Sequence, residues 1–310
     1  AKRGLVCQDV CGISQKKKQR VMITINSVSG GKTSSYIAAN YPADYNVFAL
    51  VRTNDNNCLF PDKKIRQEVS DRIGTEFIGT LEMDTIIYTM LDLEQMIGSK
   101  IDWVTGESFD EVIQRGKGNK IQLPTVMRRF CTVEMKIEPM FNFWRENIGE
   151  IVETRIGFRA NETKRANRMI ERCGETKGVM TYKAIIGKTK NGNKNKWADI
   201  PYQIPSFPLI DNNIYKDKIE LYWKDKPVRF AYMNNCVGCM HRNPLLLKHM
   251  DNKEPKKMQW FIDKEKLAME SYKGNQWRHD VTYDSIRKSL TQMKLFDDDF
   301  DECDSGYCGL

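Results

Sequence analysis

The chain predicts an α/β fold: a doubly wound, mostly parallel sheet with helices on both faces, followed by a cysteine-containing C-terminal appendage. Three observations carry this. Short apolar runs alternate with helix-length stretches from Val21 onward, the pattern of a parallel sheet with crossover helices. A glycine-rich turn joins the first such run to the first helix, and no internal repeat or long low-complexity linker breaks the order.

Residues 1–20 read as a flexible extension with the basic run Lys16-Lys17-Lys18-Gln19-Arg20, and the fold begins at Val21. A strand is expected over 21–26, a helix over 33–41 and a strand over 46–51. A charged helix follows over 61–73, then a short strand over 76–78, a helix over 84–98 and an apolar segment over 101–104. Further on come a helix over 109–115, a Gly/Lys turn over 116–120, a helix over 133–147 and a strand over 151–156. Regularity weakens over 174–200, with 190–196 reading as an exposed loop or hairpin tip. Pro201, Pro205 and Pro208 suggest an extended crossing segment before a helix over 214–224. The expected division is an extension over 1–20, a nucleotide-binding catalytic domain over 21–230, and a segment over 231–310 with a Cys-x-x-Cys turn, helices and an acidic tail.

The 310 residues suffice for a full core. No apolar run approaches the length of a membrane span, and the start lacks the apolar centre of a secretory signal, so a cytoplasmic protein with no membrane partner is expected. Nine cysteines without such a signal read as thiols, metal ligands or redox groups. The net charge of +8, from 49 basic and 41 acidic residues, favours anionic partners.

Ser29-Gly30-Gly31-Lys32-Thr33-Ser34, between strand and helix, reads as an anion cradle. Its glycines let backbone amides approach a ligand, Lys32 adds charge, and the helix start aims its dipole at the same spot. A Walker A loop would need glycine where Asn26 stands. A second cluster, Arg128, Arg129, Cys131 and Lys136, surrounds a helix start. Either these cations hold a phosphate or oxyanion and lower the Cys131 pKa, or Cys131 is a buried thiol beside surface arginines. In a third element Gly157 permits close backbone approach, and Arg159 and Arg165 can grip phosphate. Alternatively, Asn161 and Glu162 simply cap a helix.

Cys236-Val237-Gly238-Cys239 presents two sulfurs to one metal or forms a redox pair. Cys303 and Cys308, on the polar tail, are candidate nucleophiles, resolving thiols or further ligands. Asp55 after the second strand can touch ribose or adenine, or be solvated. Cys7, Cys11, Cys58 and Cys173 carry no assignment. The three histidines, His241, His249 and His279, form no zinc-protease motif, and no Ser-His-Asp order supports a serine hydrolase.

In this order the motifs resemble the phosphoadenosine phosphosulfate (PAPS) reductase family of the PP-loop, adenine nucleotide alpha-hydrolase-like superfamily, in its phage- or mobile-element-type branch. The likeness rests on Ser-Gly-Gly-Lys-x-Ser at Ser29–Ser34, Arg-x-Cys-Thr at Arg129–Thr132, Lys-Ile-x-Pro at Lys136–Pro139 and Gly-x-Arg-x-x-Glu-x-x-Arg at Gly157–Arg165. It implies an adenine nucleotide, ATP or PAPS, held by Ser29, Gly30, Gly31, Lys32 and Ser34, with Arg128, Lys136, Gly157, Arg159 and Arg165 assisting. Thr33 stands where the family has Asp, which helps to hold a Mg2+-bound pyrophosphate, so nucleotide binding is implied more directly than cleavage. Cys131, Cys236 and Cys239 would hold a 4Fe–4S cluster, with zinc and His241 as an alternative; Phe130 takes the place of an adjacent family cysteine. The activity implied first is that of an ATP-pyrophosphatase-like sulfurtransferase modifying nucleic acid, similar to DNA phosphorothioation or tRNA thiolation enzymes. It would use Lys32 and Arg128, a sulfur donor protein and a DNA or tRNA acceptor. The alternatives are a reductase releasing sulfite through Cys303 or Cys308 with thioredoxin, and a non-catalytic nucleotide-binding protein. The oligomeric state is left open.

Overall fold

The computed structural model describes residues 22–115, 118, 120–189, 194–272 and 275–289. The basic run at 16–20, Cys7, Cys11, the acidic tail, Cys303 and Cys308 lie outside the described residues.

Six strands form one sheet. In chain order the elements begin β1 (Thr24–Val28), α1 (Lys32–Asn40), β2 (Tyr45–Leu50), α2 (Lys63–Ile73), α3 (Thr85–Ile97), β3 (Ile101–Thr105) and α4 (Phe109–Ile113). They continue with α5 (Phe130–Thr132), α6 (Glu138–Asn147), β4 (Val152–Arg155), α7 (Thr163–Arg172), β5 (Met180–Lys188) and β6 (Asn195–Ser206). The last are α8 (Pro208–Asp211), α9 (Lys216–Trp223), α10 (Pro244–Lys253), α11 (Pro255–Ser271) and α12 (Tyr283–Lys288). The strand order is β3-β2-β1-β4-β6-β5, parallel throughout except for the antiparallel β5–β6 pair. Since β2 lies on one side of β1 and β4 on the other, the order reverses at the β1–β4 boundary.

Alternation along the strands feeds two apolar layers. Phe48, Leu50, Ile101 and Trp103 pack with Ile37 of α1, Leu93 of α3 and Trp223 of α9. Ile25, Val47 and Val152 meet Phe141 and Trp144 of α6. Each layer withdraws its facing strands from water at about 25 cal/mol per Å² of apolar surface. A third cluster joins Trp260 and Phe261 of α11, Trp277 and Tyr283 to Val51, Leu81 and Phe109, so residues beyond 231 cover loops at the carboxyl ends of β2 and β3.

Three expectations change. Residues 76–78 form no strand; Gly79 bridges Thr53 and Leu59, and Phe77 packs its ring on Phe60 at 5.9 Å. The apolar residues there serve a loop packed over the sheet. The helix expected over 133–147 begins as α5 and passes through a π-helical turn, Val133–Ile137, before α6. Pro139 has no N–H to donate and its ring crowds the preceding turn, which a widened turn relieves. The irregular stretch over 174–200 and its proline-marked continuation are largely the β5–β6 ribbon. Pro201 pairs where β6 has only β5 beside it, and Pro205 where it has only β4, so neither proline removes a hydrogen bond from a doubly paired position. Among the described residues no helix is long and apolar enough to cross a membrane.

Candidate nucleotide and thiol site

The glycine loop leaves the carboxyl end of β1, at the sheet edge where strand order reverses and open α/β sheets bind their ligands. Its shape is fixed by hydroxyls. Ser29 N–H donates to Ser34 Oγ at 3.1 Å, the two serine hydroxyls lie 3.0 Å apart, and Ser34 Oγ donates to the Gly31 carbonyl at 3.2 Å. Gly30 has φ +81°, and a Cβ there would sit 2.6 Å from Ile86 Cγ2, so no other residue fits without displacing α3. Gly157, after β4, approaches the same helix start: a Cβ there would lie 3.4 Å from Thr33 Cγ2 and 3.6 Å from the Ser34 nitrogen. The buried Thr33 methyl therefore faces the third motif.

Ser27, Val28 and Ser29 line a small cavity together with Thr132, Lys136 and Met140. Its lining offers hydroxyls and one cation but no carboxylate, so these side chains do not themselves build a magnesium site. A second small cavity is lined by Cys131, Cys236 and Cys239 with Arg129, His241 and Asn235. Thr132 and Lys136 line both cavities. Lys136 Nζ is held there by Glu82 at 2.9 Å, and Glu82 is almost completely buried. Losing the lysine would leave that carboxylate uncompensated.

The structure thus brings together the glycine loop, Gly157, Lys136 and the three cysteines. Other expected residues are placed elsewhere. Lys32 turns towards α9, where its Nζ pairs with Glu220; α9 is pinned to α1 by Trp223 Nε1 donating to the Lys32 carbonyl at 2.9 Å. Arg159 and Arg165 both pair with Glu162, and Arg165 also lies 4.4 Å from the centre of the Phe158 ring. The Gly-x-Arg-x-x-Glu-x-x-Arg pattern is therefore an ion-paired turn in which Glu162 engages both arginines. Arg128 is exposed and lines neither cavity. Asp55 caps a short helical turn by accepting from Asn57 N–H at 2.8 Å and also lines neither.

The expectation that nearby cations lower the Cys131 pKa is reversed. Burial is the largest influence and pushes this thiol up to about 11, aided by the charge of Cys239 and only partly offset by Thr132 and Arg129. Burial likewise raises Cys236 well above the usual thiol range. All the described cysteines are free thiols. Among the described residues no three Cys, His, Asp or Glu side chains are placed to hold a metal ion. Three sulfurs around one chamber fit an iron–sulfur or zinc centre in donor type and location, whereas the side chains as they stand are not in ligating positions.

The Cys-x-x-Cys turn is braced by residues whose part is hidden in the sequence. Arg242, buried, donates through Nη2 to the Asn234 carbonyl at 2.6 Å and through Nε to the Cys236 carbonyl at 3.3 Å. Arg278 Nη1 donates to the Met240 carbonyl at 2.9 Å, and the Tyr283 hydroxyl to the Gly238 carbonyl at 3.0 Å. Gly238 lies against the Phe261 ring, where a Cβ would be 2.4 Å from Cγ. Gly238→Ala should therefore cost about 1–3 kcal/mol of stability by overpacking, read as a lower denaturant midpoint with unchanged slope; an unchanged midpoint would show that the turn is not wedged there.

Glu82, Arg242 and Arg278 carry no signal in the sequence: Glu82 meets Lys136 across 54 residues and Arg278 meets Met240 across 38, and although Arg242 lies only eight residues from Asn234, no local pattern marks it as a brace. No family model matches the chain, and no curated protein or solved structure is significantly similar to it.

Proposed function

We propose that the chain binds an adenine nucleotide at the β1–β4 boundary of a doubly wound sheet and acts as an ATP-pyrophosphatase-like sulfurtransferase on nucleic acid, as its resemblance to PP-loop enzymes of the PAPS reductase family implies. The observation that carries this reading is the wall shared by the two cavities: Thr132 and Lys136 border both the glycine-loop cavity and the cysteine chamber. A nucleotide phosphate in the first would lie one side-chain layer from sulfur chemistry in the second.

In this reading the amides around Gly30 and Gly31 and the Ser29 and Ser34 hydroxyls hold the leaving pyrophosphate. Attack by an acceptor oxygen on the α-phosphorus breaks the bond to the bridging oxygen, leaving the acceptor adenylylated and pyrophosphate on the loop. Lys136, already aimed into the shared wall, balances charge that builds on the α-phosphate. An iron–sulfur centre on Cys131, Cys236 and Cys239 would supply sulfur that displaces AMP. The test is to incubate the protein with ATP and nucleic acid and separate the products. AMP with pyrophosphate, formed faster when nucleic acid is present, is expected. ADP with phosphate, or bound but intact ATP, would overturn the transfer reaction while leaving the nucleotide site standing.

A further inference from the structure

The β5–β6 ribbon carries a surface that nothing in the nucleotide and thiol cavities uses. Its strands pair antiparallel with Lys183 opposite Asp199, Ile185 opposite Trp197, Gly187 opposite Lys196 and Lys188 opposite Asn195. Directly opposed residues share a face of the sheet, and successive residues alternate faces. One face, Tyr182, Ala184, Ile200 and Tyr202, packs into the layer over α6. Ile185 and Trp197 therefore project from the other, and they remain about half exposed, at 46% and 53%. Lys183 and Lys188 share that face by register, while Lys194 and Lys196 stand at the end of the ribbon, all exposed, and among the described residues none is ion-paired with a carboxylate. Four lysines face one acidic residue on the ribbon, Asp199.

An exposed Trp beside an isoleucine, flanked along the same face by Lys183 and Lys188 on a sheet edge, does not suit a protein core or a second copy of this chain, since lysines on an edge strand repel a like edge. It suits a partner with flat apolar rings joined by negative charges. We propose that the outer face of the β5–β6 ribbon binds single-stranded nucleic acid or the unpaired bases of a folded one, a base stacking on Trp197 while Lys183 and Lys188, on the same face, contact phosphates. As the acceptor side of the sulfur-transfer reading this role rests on that reading, but the binding itself needs no nucleotide.

The experiment is fluorescence anisotropy of the full chain with a labelled unstructured DNA strand, its RNA counterpart and a blunt duplex, without ATP, over a range of salt. Both single strands should bind more tightly than the duplex, and the tighter of the two identifies the natural class. Trp197→Ala should weaken binding about tenfold and Trp197→Phe restore most of it. Replacing Lys183 and Lys188 by Gln should flatten the slope of log affinity against log salt by roughly 1.4 units, at about 0.7 per phosphate contact on a single strand. Thermal melts would confirm that these exposed positions leave folding unchanged. Failure of the wild-type chain to bind, binding unaffected by either set of variants, or a duplex preference indifferent to Trp197 would each overturn the proposal. Lys32→Ala separates the two readings: it should lose ATP and keep the oligonucleotide.

Discussion

Lys32→Ala is expected to weaken ATP and PAPS binding by about tenfold to a hundredfold, measured by calorimetry on the wild type and the variant. The lysine now pairs with Glu220, and the two side chains are 34% and 44% exposed. Such a pair contributes roughly 0–1 kcal/mol, whereas a charge-assisted hydrogen bond to phosphate contributes about 1.5–3 kcal/mol, so an incoming pyrophosphate takes the lysine from the glutamate. Glu220→Gln follows as the opposite test. It removes the competitor without touching the loop and should raise affinity by up to about fivefold. Unchanged binding in Lys32→Ala would remove the pyrophosphate-loop assignment, and weaker binding in Glu220→Gln would show that the pair itself orients the lysine for the nucleotide.

The second large effect belongs to the thiols. Protein purified without oxygen should carry iron and visible absorption, and Cys236→Ala should lose both. Cys236 opens the Cys-x-x-Cys turn, lines the chamber with Cys131 and Cys239, and is held in place by Arg242 at its carbonyl. Burial keeps the metal-free Cys131 and Cys236 thiols protonated, so loading a metal releases protons; iron uptake should therefore acidify a weakly buffered solution and strengthen as pH rises. A colourless wild-type protein without iron would refute the cluster, and zinc in its place would point to a closed site with His241 as fourth ligand. Cys131→Ala gives an independent reading, since it lies on a different element.

Much of the frame was legible from local patterns. The first two strands and α1, α2 and α3 fall within a few residues of their expected positions, because the apolar run through Val47, Phe48 and Leu50 and the helical spacing of Ile86, Met90 and Leu93 report burial directly. The glycine loop was legible for the same reason: Gly30 answers to a single backbone angle and a single neighbour. The π-helical turn before Pro139 was not, since a proline in a helical run signals disruption without saying how the backbone resolves it. Nor was the pairing of β6, whose prolines suggest only an extended crossing segment although Pro201 and Pro205 each fall where the strand has one neighbour.

At the site the cysteines could be named, and so could Lys136, but not what surrounds them. The Glu82–Lys136 pair joins residues 54 apart, and the arginine brace of the Cys-x-x-Cys turn depends on Arg278, 36 residues beyond Arg242. Lys32 shows the converse, since its role in a glycine loop was readable while its competitor on α9, 188 residues away, was not. Local chemistry names candidate groups, and packing decides which of them meet.

The measurement closest to the central claim is backbone hydrogen exchange with and without ATP. Binding at the β1–β4 boundary predicts slowed exchange over 29–35, with lesser protection at 132–136 and around Gly157, and no change in the β5–β6 ribbon. ATP that binds while these segments exchange at their free rates, or protects only residues elsewhere, would contradict the account.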